Sequence, residues 1–288
     1  MRFMALTALA AIGLLMIDGR AVSAVPGPAQ SYDYGTDSLQ ALDYWPASRE
    51  SAPLIIFIHG GGWKRGDKDN ATGQQKVAHY HALGYAFASV NYRLVPDASV
   101  EQQASDVAAA IRWLRGHAAQ LGFDPGRVVL MGHSAGAHLA ALVGTDPRWL
   151  DQQGMTEQAL SGVILLDGAA YNVPYQLAHG PGVMQQTYVQ AFGRDPRRQR
   201  ALSPTLNAAA PNARSFLILH VDRADGAVQS DALAAALRGA GTAVEEHALP
   251  GRGLIGHMRI NRELGDPDYE ATGIVDAWIE RHMAAPGK

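Results

Sequence analysis

An α/β architecture, a mostly parallel sheet with helices on both faces, follows from three features of the sequence. Short apolar, β-branched runs alternate along the chain with longer stretches whose apolar residues recur at helical spacing. The runs Leu54–Ile58 and Val128–Met131 show no polar alternation, as expected of strands buried on both faces. Several of these runs end in glycine-containing turns that carry serine, histidine or aspartate, the places where α/β folds put their chemistry.

Taken in order, Tyr32–Trp45 reads as two short strands closed by Pro46. Leu54–Ile58 is a central strand running into His59-Gly60-Gly61-Gly62-Trp63. A helix at Gln74–Leu83 and a strand at Tyr85–Val90 follow, then the loop Asn91-Tyr92-Arg93-Leu94. Val107, Ala110, Ile111 and Leu114 give helical spacing to a long segment from about Val100 to Leu121. Asp124-Pro125-Gly126 turns the chain into the Val128 strand, and an Ala/Leu-rich helix runs on to Gly144. Val163–Leu166 is the next strand, ending at Asp167-Gly168. Residues 171–210, rich in Gln, Arg, Tyr and Pro, break the rhythm and read as a cap insertion with one clear helix at Val183–Phe192. The alternation resumes with a strand at Phe216–His220, a helix at Ser230–Leu237, a weaker strand at Val244–Leu249 and a closing helix at Ile274–Met283. With no internal repeat and no linker, residues 25–288 read as one domain carrying that insertion.

The 288 residues, 47% hydrophobic and 18% charged, have ordinary globular composition. A formal net charge of −3 without a basic cluster speaks against nucleic acid or an anionic membrane surface as partner. Met1-Arg2, the apolar run Phe3–Ile17, its break at Asp18-Gly19-Arg20 and the small residues before Ala24 have the form of a secretory signal peptide over residues 1–24. The run is short of the ~20 residues that span a bilayer. A periplasmic or secreted protein is therefore expected. The chain has no cysteine, which excludes a disulfide, a lipoprotein anchor and a thiol nucleophile.

Gly132-His133-Ser134-Ala135-Gly136 sits between a strand and a helix. In such a turn the glycines let strand and helix approach closely around a strained serine whose hydroxyl points outward. The amide of Ala135, at the helix start, can then donate to a developing oxyanion. Three successive glycines after the Leu54–Ile58 strand cost conformational entropy and leave a loop whose amides can turn to a ligand. Gly61 and Gly62 are the candidate donors beside Ala135, with Gly60 in reserve. A serine needs a base. Of eleven histidines, His133 and His138 lie in and just beyond the elbow, His79 and His81 face different sides of one helix, and His59 suits loop shaping. His257 follows the last strand in a glycine-rich loop, where the order serine, acid, histidine places the base. For the orienting carboxylate, Asp222 and Asp225 both follow the Phe216–His220 strand, and Asp167 ends the strand before it.

The words His59-Gly60-Gly61-Gly62-Trp63, Asn91-Tyr92-Arg93-Leu94, Gly132-His133-Ser134-Ala135-Gly136 and Gly256-His257-Met258-Arg259-Ile260-Asn261-Arg262 together resemble the α/β-hydrolase superfamily. The likeness is to its H-G-G-G-W carboxylesterases: hormone-sensitive-lipase-like esterases, feruloyl-esterase-type hydrolases and kynurenine formamidases. It covers about Tyr32 to Met283. The resemblance implies the α/β-hydrolase fold and hydrolysis of a small-molecule carboxylic ester through an acyl-serine, with no metal or organic cofactor. An amidase or formamidase using the same residues is the alternative, and a non-catalytic binding protein of this fold a more distant one. Counting back from Gln229-Ser230, which resembles the family's helix start, the acid falls at Asp222, next to Arg223. The expected triad is Ser134, Asp222 and His257, with Gly61, Gly62 and Ala135 as oxyanion donors. Tyr171, Tyr175, Tyr188 and Phe192 are candidates to close over a short or aromatic acyl group.

Overall fold

The structure, a computed structural model, describes residues 27–69, 73–209 and 211–284. The leader expected at 1–24 lies outside the described residues. Eight strands form one sheet in the order β1-β2-β4-β3-β5-β6-β7-β8. They are β1 (Gln30–Asp33), β2 (Ala41–Trp45), β3 (Ala52–Ile58), β4 (Ala86–Val90), β5 (Phe123–His133), β6 (Gly162–Leu166), β7 (Ser215–Asp222) and β8 (Ala243–Arg252). Pairing is parallel from β4 through β8 and antiparallel only where β2 meets β1 and β4.

The continuous apolar runs are buried along both faces because helices cover both. On one side Leu54, Ile56 and Ile58 pack with Val107, Ile111 and Leu114 of helix α1 (Val100–Gly116) and with Leu139 and Leu142 of α2 (Ala135–Thr145). On the other, Ile55 and Phe57 pack with Val275, Trp278 and Ile279 of α3 (Glu270–His282). Each fully buried aliphatic or aromatic side chain contributes roughly 1.5–3 kcal/mol of transfer free energy, so these two layers dominate the fold's stability.

Local chemistry sets where the elements stop. Ser99 opens α1 with a capping box, accepting from the Gln102 amide while its own amide donates to the Gln102 side chain at 2.8 Å. The helix expected to reach Leu121 ends at Gly116, where His117 leaves helical geometry and only a separate turn, Ala118–Leu121, follows. Two differences bear on the site. Strand β7 continues past His220 to Asp222, whose backbone pairs with Arg252 of β8. And Pro250–His257, expected as a glycine-rich loop, is the end of β8 followed by the start of a helix, α4 (Gly253–Glu263), that carries His257. The segment 171–209 holds more helix than expected: α5 (Val173–His179), α6 (Gln185–Phe192) and two short turns, Pro196–Ala201 and Pro204–Asn207. Among the described residues no helix is long and apolar enough to cross a membrane.

Candidate active site

The C-terminal ends of three adjacent strands build the site. At the end of β5, Ser134 takes φ 56° and ψ −119°, a conformation that costs an L-residue about 1–3 kcal/mol and persists only where neighbours fix it. Its amide donates to the Leu166 carbonyl at 3.1 Å, extending the β5–β6 ladder by one bond. Gly136 lies against the end of β3: a Cβ there would be 2.2 Å from the Ile58 carbonyl oxygen. That contact explains the second elbow glycine sterically, since α2 could not otherwise approach the sheet.

The His59–Trp63 loop faces the elbow from β3. Gly61 has φ +128°, and a Cβ there would meet the Arg65 carbonyl oxygen at 1.9 Å. The Asn91-Tyr92-Arg93 stretch braces this loop. Tyr92 donates its hydroxyl to the His59 carbonyl at 2.9 Å and stacks on the His59 ring, with centroids 4.4 Å apart. Arg93 holds Asp106 through two bonds of 2.7 and 2.8 Å. Trp63's carbonyl accepts from the Gln103 side chain at 2.7 Å and the Val95 amide at 3.0 Å. His59 is thus a buried loop-shaping residue, its pKa lowered chiefly by burial.

His257 Nε2 lies 3.0 Å from Ser134 Oγ, and His257 Nδ1 donates to Asp167 Oδ2 at 2.6 Å. With Nδ1 carrying the proton, Nε2 is left to accept the serine hydroxyl's. Asp167 ends β6 at φ 43°, fully buried, and its amide is tied to the Leu219 carbonyl of β7 at 2.7 Å. Burial pushes its carboxyl up, but the His257 hydrogen bond, the Arg223 charge and the Val221 amide outweigh this and hold it below its ordinary value.

The acid expected at Asp222 is therefore corrected to Asp167. Asp222 closes β7 with a side chain 66% exposed and pairs with Arg252 at 2.9 Å. The reason is lateral: β6 lies between β5 and β7, so a residue at its tip is one strand nearer Ser134. Asp225 is not the partner of His257 either; it sits in the first turn of α7 (Ala224–Gly239) and accepts from Arg223 Nη1 at 3.1 and 3.2 Å. Arg223, noted in the sequence only for its proximity to Asp222, points away from it. Its Nε donates to Asp167 Oδ2 at 2.8 Å and its Nη2 to the Gly168 carbonyl at 2.8 Å.

His133, His138 and His79 are structural partners. His133 Nε2 donates to the His257 carbonyl at 2.9 Å, so the elbow itself positions the helix that bears the base. Burial, then proximity to His257, lowers the His133 pKa well below its usual value, which keeps the ring neutral. His138 donates from Nε2 to the Leu202 carbonyl at 2.9 Å and accepts the Trp63 indole N–H at 3.3 Å, its pKa lowered by burial to about 4. His79 binds Asp276 at 2.8 Å.

A cavity of about 650 Å³ opens onto Ser134 and His257, walled by Gly62 and Trp63, by Met184 and Tyr188 of the 171–209 segment, and by Leu254 of α4. Of the four aromatics singled out in the sequence, only Tyr188 lines it. Tyr171 is buried, Tyr175 stacks on His179, and Phe192 packs on Trp63 with centroids 4.7 Å apart. Tyr171 and Phe192 belong to the core, the latter seating the segment on the Trp63 loop, whereas Tyr175 is half-buried outside it. Among the described residues one group could hold a metal ion, His220, Asp231 and Glu246, and none of these lines the cavity around Ser134.

With this geometry in place, known proteins can be compared. A model of the BD-FAE family matches residues 42–164. The sheet superposes on the esterase Est2 of Thermogutta terrifontis with butyrate bound, at TM-score 0.70 and 23% identity over 90% of this chain and 97% of that one. The chain has the α/β-hydrolase fold. Carboxylesterase NlhH of Mycobacterium tuberculosis is 38% identical to this chain over 115 residues, 39% of this chain and 35% of NlhH. Esterase LipQ of the same organism is 29% identical over 250 residues, 78% of this chain and 58% of LipQ. The chain thus spans about a third of one of these relatives and just over half of the other.

Proposed function

We propose that this chain is a serine carboxylesterase. One observation carries the reading: a strained, outward serine, a histidine at 3.0 Å and a buried carboxylate at 2.6 Å from that histidine stand in line at the floor of an open cavity. Ser134 Oγ attacks the ester carbonyl carbon while its proton passes to His257 Nε2. The Asp167 carboxylate holds the imidazole in the productive tautomer and stabilises its cation. The amides of Gly61, Gly62 and Ala135 are the donors proposed for the carbonyl oxygen as it becomes an oxyanion, each contributing about 3–4 kcal/mol to the transition state. Collapse breaks the C–O bond to the alcohol, which leaves with the proton from His257. Water then attacks the acyl-serine carbon, gives its proton to His257, and the acid departs as Ser134 regains its own.

The wall chemistry supports a short or small aromatic acyl group. A cavity of about 650 Å³ offers apolar contact from Trp63, Met184, Tyr188 and Leu254, with Arg65, Asp222 and Arg223 also on its wall, and its volume suits a small ester. The carboxylesterase and esterase relatives, and Est2 with butyrate bound, favour an ester over an amide. Hydrolysis of p-nitrophenyl esters from acetyl to palmitoyl, beside the matching butyryl anilide and formanilide, tests both points. Turnover greatest at acetyl or butyryl ester is the expected result; faster cleavage of the amides, or of palmitoyl ester, overturns the assignment. The leader pattern over residues 1–24 supports export, and amino-terminal sequencing of the secreted or periplasmic protein should begin just after Ala24.

A further inference from the structure

We propose that Arg223 is a positioning residue for the triad acid, with Asp225 setting how strongly it acts. This rests on the reading of Ser134, His257 and Asp167 given above. The Arg223 side chain is only 13% exposed, and all three guanidinium nitrogens are engaged. Nε and the His257 imidazole share one oxygen, Asp167 Oδ2, at 2.8 and 2.6 Å. Nη1 is forked by both oxygens of buried Asp225, and Nη2 is fixed by the Gly168 carbonyl directly beside Asp167. The charges therefore alternate: imidazole, carboxylate, guanidinium, carboxylate. Asp225 is itself held from the segment over the site, since Gln176 of α5 donates to its Oδ2 at 2.9 Å. The Gln176 side-chain oxygen Oε1 in turn accepts from the Ala170 amide and the Gln229 side chain.

Such an alternation has an electrostatic consequence with a definite sign. Arg223 competes with the imidazolium for the same lone-pair side of Asp167 and offsets part of that carboxylate's charge. Removing Arg223 leaves two carboxylates behind His257 with nothing between them, so the imidazolium is favoured. Removing the charge of Asp225 leaves Arg223 uncompensated, so the imidazolium is disfavoured. Other charges lie near, with Arg65 and Asp222 on the same cavity wall and Lys76 acting on His133, but they are the same in every variant compared and so do not set the sign of a shift. His133 is kept neutral by burial, as are the phenols of Tyr171, Tyr188 and Tyr269, the last two with pKa values pushed up to about 12. A packing role alone would give no such pair of opposite signs.

The test follows the His257 ring by NMR titration and, in parallel, the acid limb of kcat/KM on p-nitrophenyl butyrate. The proteins are the wild-type chain, Arg223→Gln, Asp225→Asn and the double variant. Arg223→Gln should move both readouts up by about half to one pH unit, Asp225→Asn should move both down, and the double variant should return toward wild type. Arg223→Gln should also lower kcat by about tenfold to a hundredfold through misplacement of the acid. If Arg223→Gln does not fold, the downward shift in Asp225→Asn, an isosteric change, decides alone. Shifts of the same sign, or none in Asp225→Asn, overturn the inference. A wild-type chain that cleaves the ester while the His257 titration ignores these substitutions sinks this inference only. A chain whose titration moves as expected but leaves the ester intact sinks the esterase reading and not this one.

Discussion

Asp167→Asn sets the carboxylate that lies beside His257 against Asp222, the one the sequence favoured. Asp167 accepts three hydrogen bonds: Val221 N–H on one oxygen at 3.2 Å, and His257 Nδ1 and Arg223 Nε on the other at 2.6 and 2.8 Å. An amide has one accepting oxygen and one donating nitrogen. With its oxygen toward His257 it confronts the Val221 N–H with a donor and faces the imidazolium with no charge. With its oxygen toward Val221 it drives His257 into the wrong tautomer. Two opposite unit charges 2.6 Å apart attract by about 6 kcal/mol at an effective permittivity of about 20. Loss of most of this corresponds to about 10³–10⁴ in kcat, since each 1.36 kcal/mol is tenfold. Asp222→Asn removes one member of an exposed pair with Arg252 and should leave kcat within about twofold. Steady-state hydrolysis of p-nitrophenyl butyrate, with circular dichroism to confirm folding, reads both. Near-wild-type activity in Asp167→Asn together with a crippled Asp222→Asn would refute the assignment.

Three further outcomes follow from packing and burial. Lys76 is wholly buried over the Phe57 ring, donates to the Asn261 carbonyl, and has its pKa lowered by burial to about 7. Between about pH 7 and 10.5 the unfolded chain holds a proton there that the folded chain does not, so this group's contribution to stability rises with pH across that window. Lys76→Met should therefore exceed wild type in urea-unfolding free energy at pH 6.5, with the advantage shrinking by about 2–3 kcal/mol at pH 9; a constant difference contradicts the burial account. Gly136→Ala puts a methyl 2.2 Å from the Ile58 carbonyl oxygen and should cost about 3 kcal/mol or more by denaturant titration, whereas an unchanged midpoint would mean α2 can move off the sheet. Trp63→Ala removes the donor to His138 and the contacts to Tyr188 and Phe192, and should cost about 3–5 kcal/mol while raising KM for butyryl ester; an unchanged KM would show that the 171–209 segment needs no such seat.

The elements that carry their pattern locally were legible in the sequence. Leu54–Ile58 and Val128–Met131 could be read as buried strands because every residue is apolar, and the elbow because strand, Ser134 and helix are contiguous. His257 could be found from chain order, although its helix was hidden by Gly251, Gly253 and Gly256, which read as a loop. The acid was not decided by sequence because the choice depends on which strand tip stands beside Ser134, a matter of sheet order and not of spacing along the chain. Leu166-Asp167-Gly168 did carry a signal, an acid ending a fully apolar strand. The count back from Gln229 drew attention to Asp222 instead. Arg223 was visible, but its direction was not: extension of β7 to Asp222 turns successive side chains to opposite faces, which sends Asp222 to solvent and Arg223 inward to Asp167. The roles of Tyr171 and Phe192 as core were likewise set by long-range contacts, the latter with Trp63 and His138.

The central claim, an acyl-serine at Ser134, is tested most directly by intact-mass and peptide mapping after treatment with a butyl phosphonate ester. The account predicts one equivalent of phosphonate per chain, on Ser134, with ester hydrolysis lost in proportion. Ser134→Ala should take up none while keeping the wild-type unfolding midpoint. Labelling at another residue, or more than a few per cent of wild-type ester hydrolysis in Ser134→Ala, would contradict it.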